Sequence, residues 1–172
     1  VLLADDHDLF RRGLAEVLEE EEDIEVVGHA RDGREAVDKA GEIQPDVIFM
    51  DLNMPGQRGI EATAFVTQQW PDVKVLILTV SEEPADLFRA LGVGALGYVL
   101  KNAAPRDIVD ALRNVYQGYV IVSPHMAPRF LSELSQSPDS RAAAQPAGAM
   151  RTETTLTLKE QEILQHVSRG LS

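Results

Sequence analysis

Short apolar runs alternate with stretches whose apolar residues recur every three or four positions, and the alternation repeats five times before residue 120. The runs at 1–4, 25–28, 47–50, 73–78 and 97–100 read as strands. Between them, the spacing of Leu9, Phe10, Leu14, Val17 and Leu18 predicts a helix over 9–18, and similar spacing predicts helices over 33–43, 60–70 and 85–91. A fifth helix is expected from Arg106 to Tyr116 behind Pro105, with Ile108, Val109, Leu112 and Val115 on one side. Strands that alternate with helices imply right-handed crossovers and a parallel sheet covered on both faces. The expected fold class is α/β, a doubly wound parallel sheet of five strands, with the broken second strand near an edge.

After Gly118 the pattern changes. Residues 125–134 place Met126, Phe130, Leu131 and Leu134 at helical spacing, whereas 136–150 are rich in Ser, Ala, Pro, Gln and Gly with no apolar period, the composition of a linker. A second signal follows: Thr157 and Glu160 stand at capping-box spacing, Ile163, Leu164 and Val167 share a helical face, and Gly170 fits a helix stop. One helix cannot bury its own apolar stripe, so 151–172 read as the start of an incomplete second domain. The expected organisation is a domain over 1–118, a linker over 119–150 with a helix at 125–134, and the opening of another domain over 151–172.

Composition narrows the chemistry. The 172 residues contain no cysteine, which excludes disulfides, thiolate catalysis and zinc–thiolate centres. No apolar run approaches the length of a membrane span and no basic leader precedes the first strand, so a cytoplasmic protein is expected. All of the net charge of −12 lies in residues 1–118, which hold 11 basic and 23 acidic residues, while 119–172 are neutral. The first domain is therefore a poor surface for nucleic acid.

In a parallel α/β sheet, functional groups gather at the carboxyl ends of the strands. Those ends carry Asp5 and Asp6, Asp51, Thr79 and Lys101. Strand ends turn polar in any protein, but three carboxylates, a hydroxyl and an amine at four such ends form a chemical set. Carboxylates held together repel unless a cation neutralises them, and hard oxygen ligands in a hydrated site suit magnesium. A carboxylate beside magnesium can attack phosphorus to form an acyl phosphate, with Lys101 and Thr79 placed to meet phosphoryl oxygens.

The segments Leu3-Ala4-Asp5-Asp6-His7, Asp51-Leu52-Asn53-Met54-Pro55-Gly56, Leu78-Thr79 and Gly97-Tyr98-Val99-Leu100-Lys101 resemble, in order and spacing, the signature set of the receiver domain of bacterial response regulators. The sequence around Gly92-Val93-Gly94-Ala95-Leu96-Gly97-Tyr98 is similar to the NarL/FixJ group, and Leu156-Thr157-Leu158-Lys159-Glu160-Gln161-Glu162-Ile163-Leu164 resembles the opening of a LuxR-type helix-turn-helix domain. The resemblance implies a flavodoxin-like (βα)5 receiver in which Asp51 accepts a phosphoryl group from a sensor histidine kinase. It implies that Asp6 binds magnesium directly, Asp5 largely through water, and Asn53 through its backbone carbonyl. Thr79 and Tyr98 would form the switch pair, and Lys101 would hold the phosphoryl group. Such a protein is a phosphoacceptor with at most slow self-dephosphorylation, not a turnover enzyme. Its implied partners are the kinase, DNA through a complete output domain but not through this chain, and a second copy after phosphorylation.

Two positions depart from the family pattern: Asn102 stands where many receivers have proline, and Val80 where the family often has a small residue. Other conspicuous residues take plainer readings. His7 is expected to enter a helix, 19–23 to form a solvated acidic helix end and turn, Pro55-Gly56 to make a tight turn, and Trp70-Pro71-Asp72 to end a helix. A magnesium-dependent phosphohydrolase of the haloacid dehalogenase kind is the alternative, but it needs an acid two residues after its nucleophile, where this chain has Asn53. A nucleotide- or flavin-binding module would fit the sheet, yet neither a Gly-x-Gly-x-x-Gly nor a Walker loop is present.

Overall fold

A computed structural model describes residues 1–56, 58–124 and 126–128. Its elements run β1 (Leu2–Ala4), α1 (Asp8–Glu19), β2 (Gly28–Ala30), α2 (Gly33–Ile43), β3 (Val47–Met50), α3 (Gly59–Gln69), β4 (Lys74–Thr79), α4 (Pro84–Gly92), β5 (Gly97–Leu100), α5 (Pro105–Tyr116) and β6 (Ile121–Val122). All strands pair in parallel, in the order β2-β1-β3-β4-β5-β6.

The two-residue period of a strand sorts the core into two layers. Leu2, Ala4, Ile48, Met50, Val75, Ile77, Tyr98 and Leu100 pack on one face with Ala36, Ala40, Ala62, Val66, Leu87 and Ala90 of α2, α3 and α4. Leu3, Val47, Phe49, Leu76, Leu78 and Val99 pack on the other with Leu14, Leu18, Ile108, Leu112 and Val115 of α1 and α5. Helix starts follow local chemistry: Asp32 accepts from the Glu35 N–H at 2.8 Å at the head of α2, and Pro84 and Pro105 open α4 and α5, where a missing N–H costs nothing.

The doubly wound parallel fold is as expected, with one addition and one shift. The addition is a sixth strand: Ile121 N–H donates to the Leu96 carbonyl at 2.8 Å and Ser123 N–H to that of Tyr98 at 2.9 Å, covering the edge that β5 would otherwise expose. A two-residue strand carries too little period to be detected by alternation. The shift concerns β2, which pairs through Gly28, His29 and Ala30 rather than over 25–28. Val26 packs toward the core and Val27 N–H bonds the Val1 carbonyl, so the apolar residues lead into the ladder while a less apolar tripeptide forms it. Packing continues past residue 118 to Met126, which is buried in the α2–α4 face. Most of the helix expected over 125–134, the linker over 136–150, and Thr157, Glu160, Ile163 and Leu164 lie outside the described residues.

Candidate functional site

Backbone pairing runs one residue beyond three strand ends and fixes the site. Asp5 N–H donates to the Ala30 carbonyl at 3.0 Å, Asp51 N–H to that of Ala4 at 2.9 Å, and Lys101 N–H to that of Thr79 at 2.8 Å. Asp5, Asp51 and Lys101 continue the parity of Leu3, Phe49 and Val99, so they share the sheet face covered by α1 and α5. Asp5 and Asp51 are 5% and 2% exposed. Into this acidic corner Lys101 sends its ammonium group, 2.7 Å from Asp5 Oδ2 and 2.8 Å from Asp51 Oδ2, with the Phe10 ring 4.9 Å away as its apolar wall. Burial pulls the Lys101 pKa down, but the two carboxylates outweigh that effect and hold it above the ordinary lysine value.

The other carboxylate oxygens are underused. Asp51 Oδ1 is buried and accepts no hydrogen bond among the described residues, and Asp6 Oδ1, also buried, accepts none there and meets only the His7 imidazole, a costly state for carboxylate oxygens. A cation resolves it, and oxygens from Asp5, Asp6 and Asp51 approach one another within 4.8 Å together with a nitrogen of His7. This donor set fits a hard divalent ion such as magnesium. His7 enters α1 as expected, at its N-cap, but its imidazole also stands 2.9 Å from Asp6 Oδ1. Asn53 follows in the exposed β3–α3 turn.

Two glycines shape that turn. Gly56 has φ of 76°, the left-handed conformation that the Pro55-Gly56 turn requires. At Gly59, a Cβ would stand 1.9 Å from the Asp51 carbonyl oxygen, so only glycine lets the head of α3 close against the strand end that carries Asp51.

Thr79 and Tyr98 lie on the opposite side of the sheet and are joined through Ser81, which belongs to none of the motifs above. Ser81 N–H donates to Thr79 Oγ1 at 3.2 Å, the Tyr98 hydroxyl donates to the Ser81 carbonyl at 3.0 Å, and Ser81 Oγ donates to Asp86 Oδ2 at 2.6 Å in the first turn of α4. Tyr98 is fully buried, and that burial, with the charges of Asp86, Asp51 and Glu83, pushes its hydroxyl pKa up to about 12. The only sequence signal for Ser81 is its place two residues after the β4 hydroxyl. Val80 is 69% exposed beside the buried Thr79, and the Lys101–Asn102 bond is trans, as are all described peptide bonds.

The acidic stretch at 19–23 is not wholly solvated. Arg113 of α5 reaches Glu21 at 2.6 Å and Asp23 at 2.6 and 2.9 Å, clamping the α1–β2 turn. Trp70 does more than end α3: its ring lies over Gly41 of α2 and meets Phe65 edge-on at 6.0 Å.

Residues 1–113 match the family described as the response regulator receiver domain. The chain is 37% identical to the oxygen regulatory protein NreC of Staphylococcus carnosus, over 99% of this chain and 77% of that protein. It is 34% identical to the transcriptional regulatory protein LnrK of Bacillus subtilis, over all of this chain and 78% of that protein. Among solved structures, a two-component response regulator of the LuxR family from Aurantimonas superposes with a TM-score of 0.74 at 34% identity, covering 77% of this chain and 95% of that one. The signal receiver domain of NarL from Mycobacterium tuberculosis gives 0.66 at 35% identity, covering 68% and 94%.

Proposed function

This chain belongs to the response regulator receiver family, of the NarL/LuxR type, and on that premise we propose that Asp51 is the residue its sensor kinase phosphorylates. Response regulators of this family are phosphoacceptors that work with sensor kinases and DNA to regulate transcription, and the protein is one of them. The observation that carries the assignment is the division of labour at Asp51: one oxygen is held by Lys101 at 2.8 Å, the other is buried without a donor among the described residues.

A carboxylate oxygen of Asp51 attacks phosphorus, a new oxygen–phosphorus bond forms, and the bond to the donor's nitrogen breaks. Lys101 meets the negative charge that arrives with the phosphoryl group, and the Thr79 hydroxyl, whose oxygen already accepts from Ser81, keeps its proton to donate to a phosphoryl oxygen. Asp6 and Asp51, with Asp5 through water and the Asn53 carbonyl, are the residues that would hold magnesium, which supplies charge neutralisation among the carboxylates and phosphoryl oxygens. Asn53 offers no proton to a leaving group, which favours slow loss of the phosphoryl group over turnover. When Thr79 moves to the phosphoryl group, its link to Ser81 changes and Tyr98 with it, so the state of Asp51 is read at the α4–β5–α5 surface. Dimerisation or release of the output domain follows, with DNA contact belonging to that domain. No helix among the described residues is long and apolar enough to cross a membrane.

The test is direct. Treated with a small phosphodonor and magnesium, the protein is expected to carry one acyl phosphate, mapped to Asp51 by reductive trapping and mass spectrometry. Labelling of Asp5 or Asp6, or undiminished labelling of Asp51→Asn, would overturn the assignment.

A further inference from the structure

We propose that His7 supplies a nitrogen ligand to the divalent ion at Asp6 and Asp51, so that the site prefers borderline transition-metal ions, of the cobalt and nickel class, over magnesium. The inference rests on the metal-binding role assigned to Asp6 and Asp51 above. Its geometry is independent of that role.

His7 Nδ1 lies 2.9 Å from Asp6 Oδ1 and 3.4 Å from Asp5 Oδ1. Around an octahedral ion with bonds of about 2.1 Å, neighbouring donors stand about 3.0 Å apart and opposite donors about 4.2 Å apart. The imidazole nitrogen and the Asp6 oxygen, an ion pair without the metal, stand at the neighbour spacing, and the donor atoms of Asp5, Asp6, His7 and Asp51 lie within 4.8 Å of one another, so the set has to contract by a few tenths of an ångström to close on an ion. The ion is called for by Asp51, which is 2% exposed and whose Oδ1 accepts no hydrogen bond among the described residues. The His7 side chain itself is 68% exposed, so the nitrogen can be reached from solvent.

The position is free to serve in this way. As the N-cap of α1, His7 makes no side-chain capping bond, and its backbone N–H is the group that donates to Asp5 Oδ1, at 2.9 Å. The imidazole therefore carries no helix-starting duty. Its nitrogen adds little for magnesium, which prefers oxygen, and much for ions later in the Irving–Williams series.

Metal titration of the full chain with magnesium and with cobalt(II), followed by calorimetry, tests the preference. His7→Ala is expected to weaken cobalt binding on the order of ten- to a hundred-fold while changing magnesium binding by less than about twofold. Electron spin echo measurements on the manganese-loaded protein are expected to show a nitrogen coupling that His7→Ala abolishes; the other three histidines leave that coupling unaffected. Magnesium binding that depends on Asp6 but shows no nitrogen coupling, or equal losses for both metals in His7→Ala, would overturn this inference and leave the site reading intact. Magnesium binding that ignores Asp6→Asn would overturn both.

Discussion

Two clusters in this protein each hold one cation between two acids, and they do different work. Lys101 lies between Asp5 and Asp51 at 2.7 and 2.8 Å, and Arg113 between Glu21 and Asp23 at 2.6 Å. The distances are nearly the same. The surroundings are not: the first three side chains are 8%, 8% and 2% exposed, the second three 41%, 38% and 59%. At the surface, water screens the attraction and competes for every group, so the clamp contributes little. In the buried corner, neither acid can recover solvation if the amine is removed. Distance alone says nothing about which ion pair matters; burial decides it, and burial also leaves Asp51 with an oxygen that accepts no hydrogen bond among the described residues.

Replacing the cations one at a time breaks the comparison most directly. Lys101→Met keeps most of the length of the side chain and removes its charge, leaving Asp5 and Asp51 facing each other. A loss of about 3–5 kcal/mol is expected in denaturant melts without divalent ions, with part of it recovered when magnesium is added. An unchanged melt would show that the buried cluster is no more demanding than the exposed one.

Alkaline titration sharpens the contrast with a smaller effect. Burial holds the Tyr98 hydroxyl at about 12, above its ordinary value of 10.0, so between those values the unfolded chain has lost a proton that the folded chain keeps. Stability is therefore complete below about pH 10 and falls as pH rises, by on the order of 2–3 kcal/mol by pH 12. Lys101 acts in the same direction, because its pKa is raised in the fold and its contribution is lost as pH rises from the ordinary lysine value of 10.5 through the raised one. Melts across this window should be flatter for Tyr98→Phe than for the parent; parallel curves would show that Tyr98 is not held neutral by the fold.

Arg113→Ala is the weakest perturbation. Its melting midpoint should match the parent within the scatter of repeat measurements at physiological salt, and phosphorylation of Asp51 should be unaffected. A marked loss would mean that the clamp on the α1–β2 turn does more than bridge two exposed elements.

The local pattern of the chain was enough to locate most of this architecture. The helix expected over 33–43 is Gly33–Ile43, and the other four begin and end within one residue of their expected limits. That agreement arises because helix periodicity, capping residues and Pro84 and Pro105 act within a few positions. Asp5, Asp51, Thr79 and Lys101 were legible for the same reason: each ends an apolar run, and parallel strands bring such ends to one rim. β2 was less legible, since an edge strand is defined by its pairing with β1 and not by its own apolarity, and β6 was too short to have a period at all.

Which group meets which was settled by packing. Lys101 and Asp51 are 50 residues apart in sequence, and Arg113 and Asp23 are 90 apart. No local rule joins them, nor tells that Asp51 keeps one oxygen free, that His7 faces Asp6, or that Ser81 bridges Thr79 and Tyr98. Residue type and strand position, both local properties, placed the chemistry at one edge of the sheet. The partners, their burial and hence their energies depend on how five crossovers bring distant strand ends together, which is a property of the packed sheet alone.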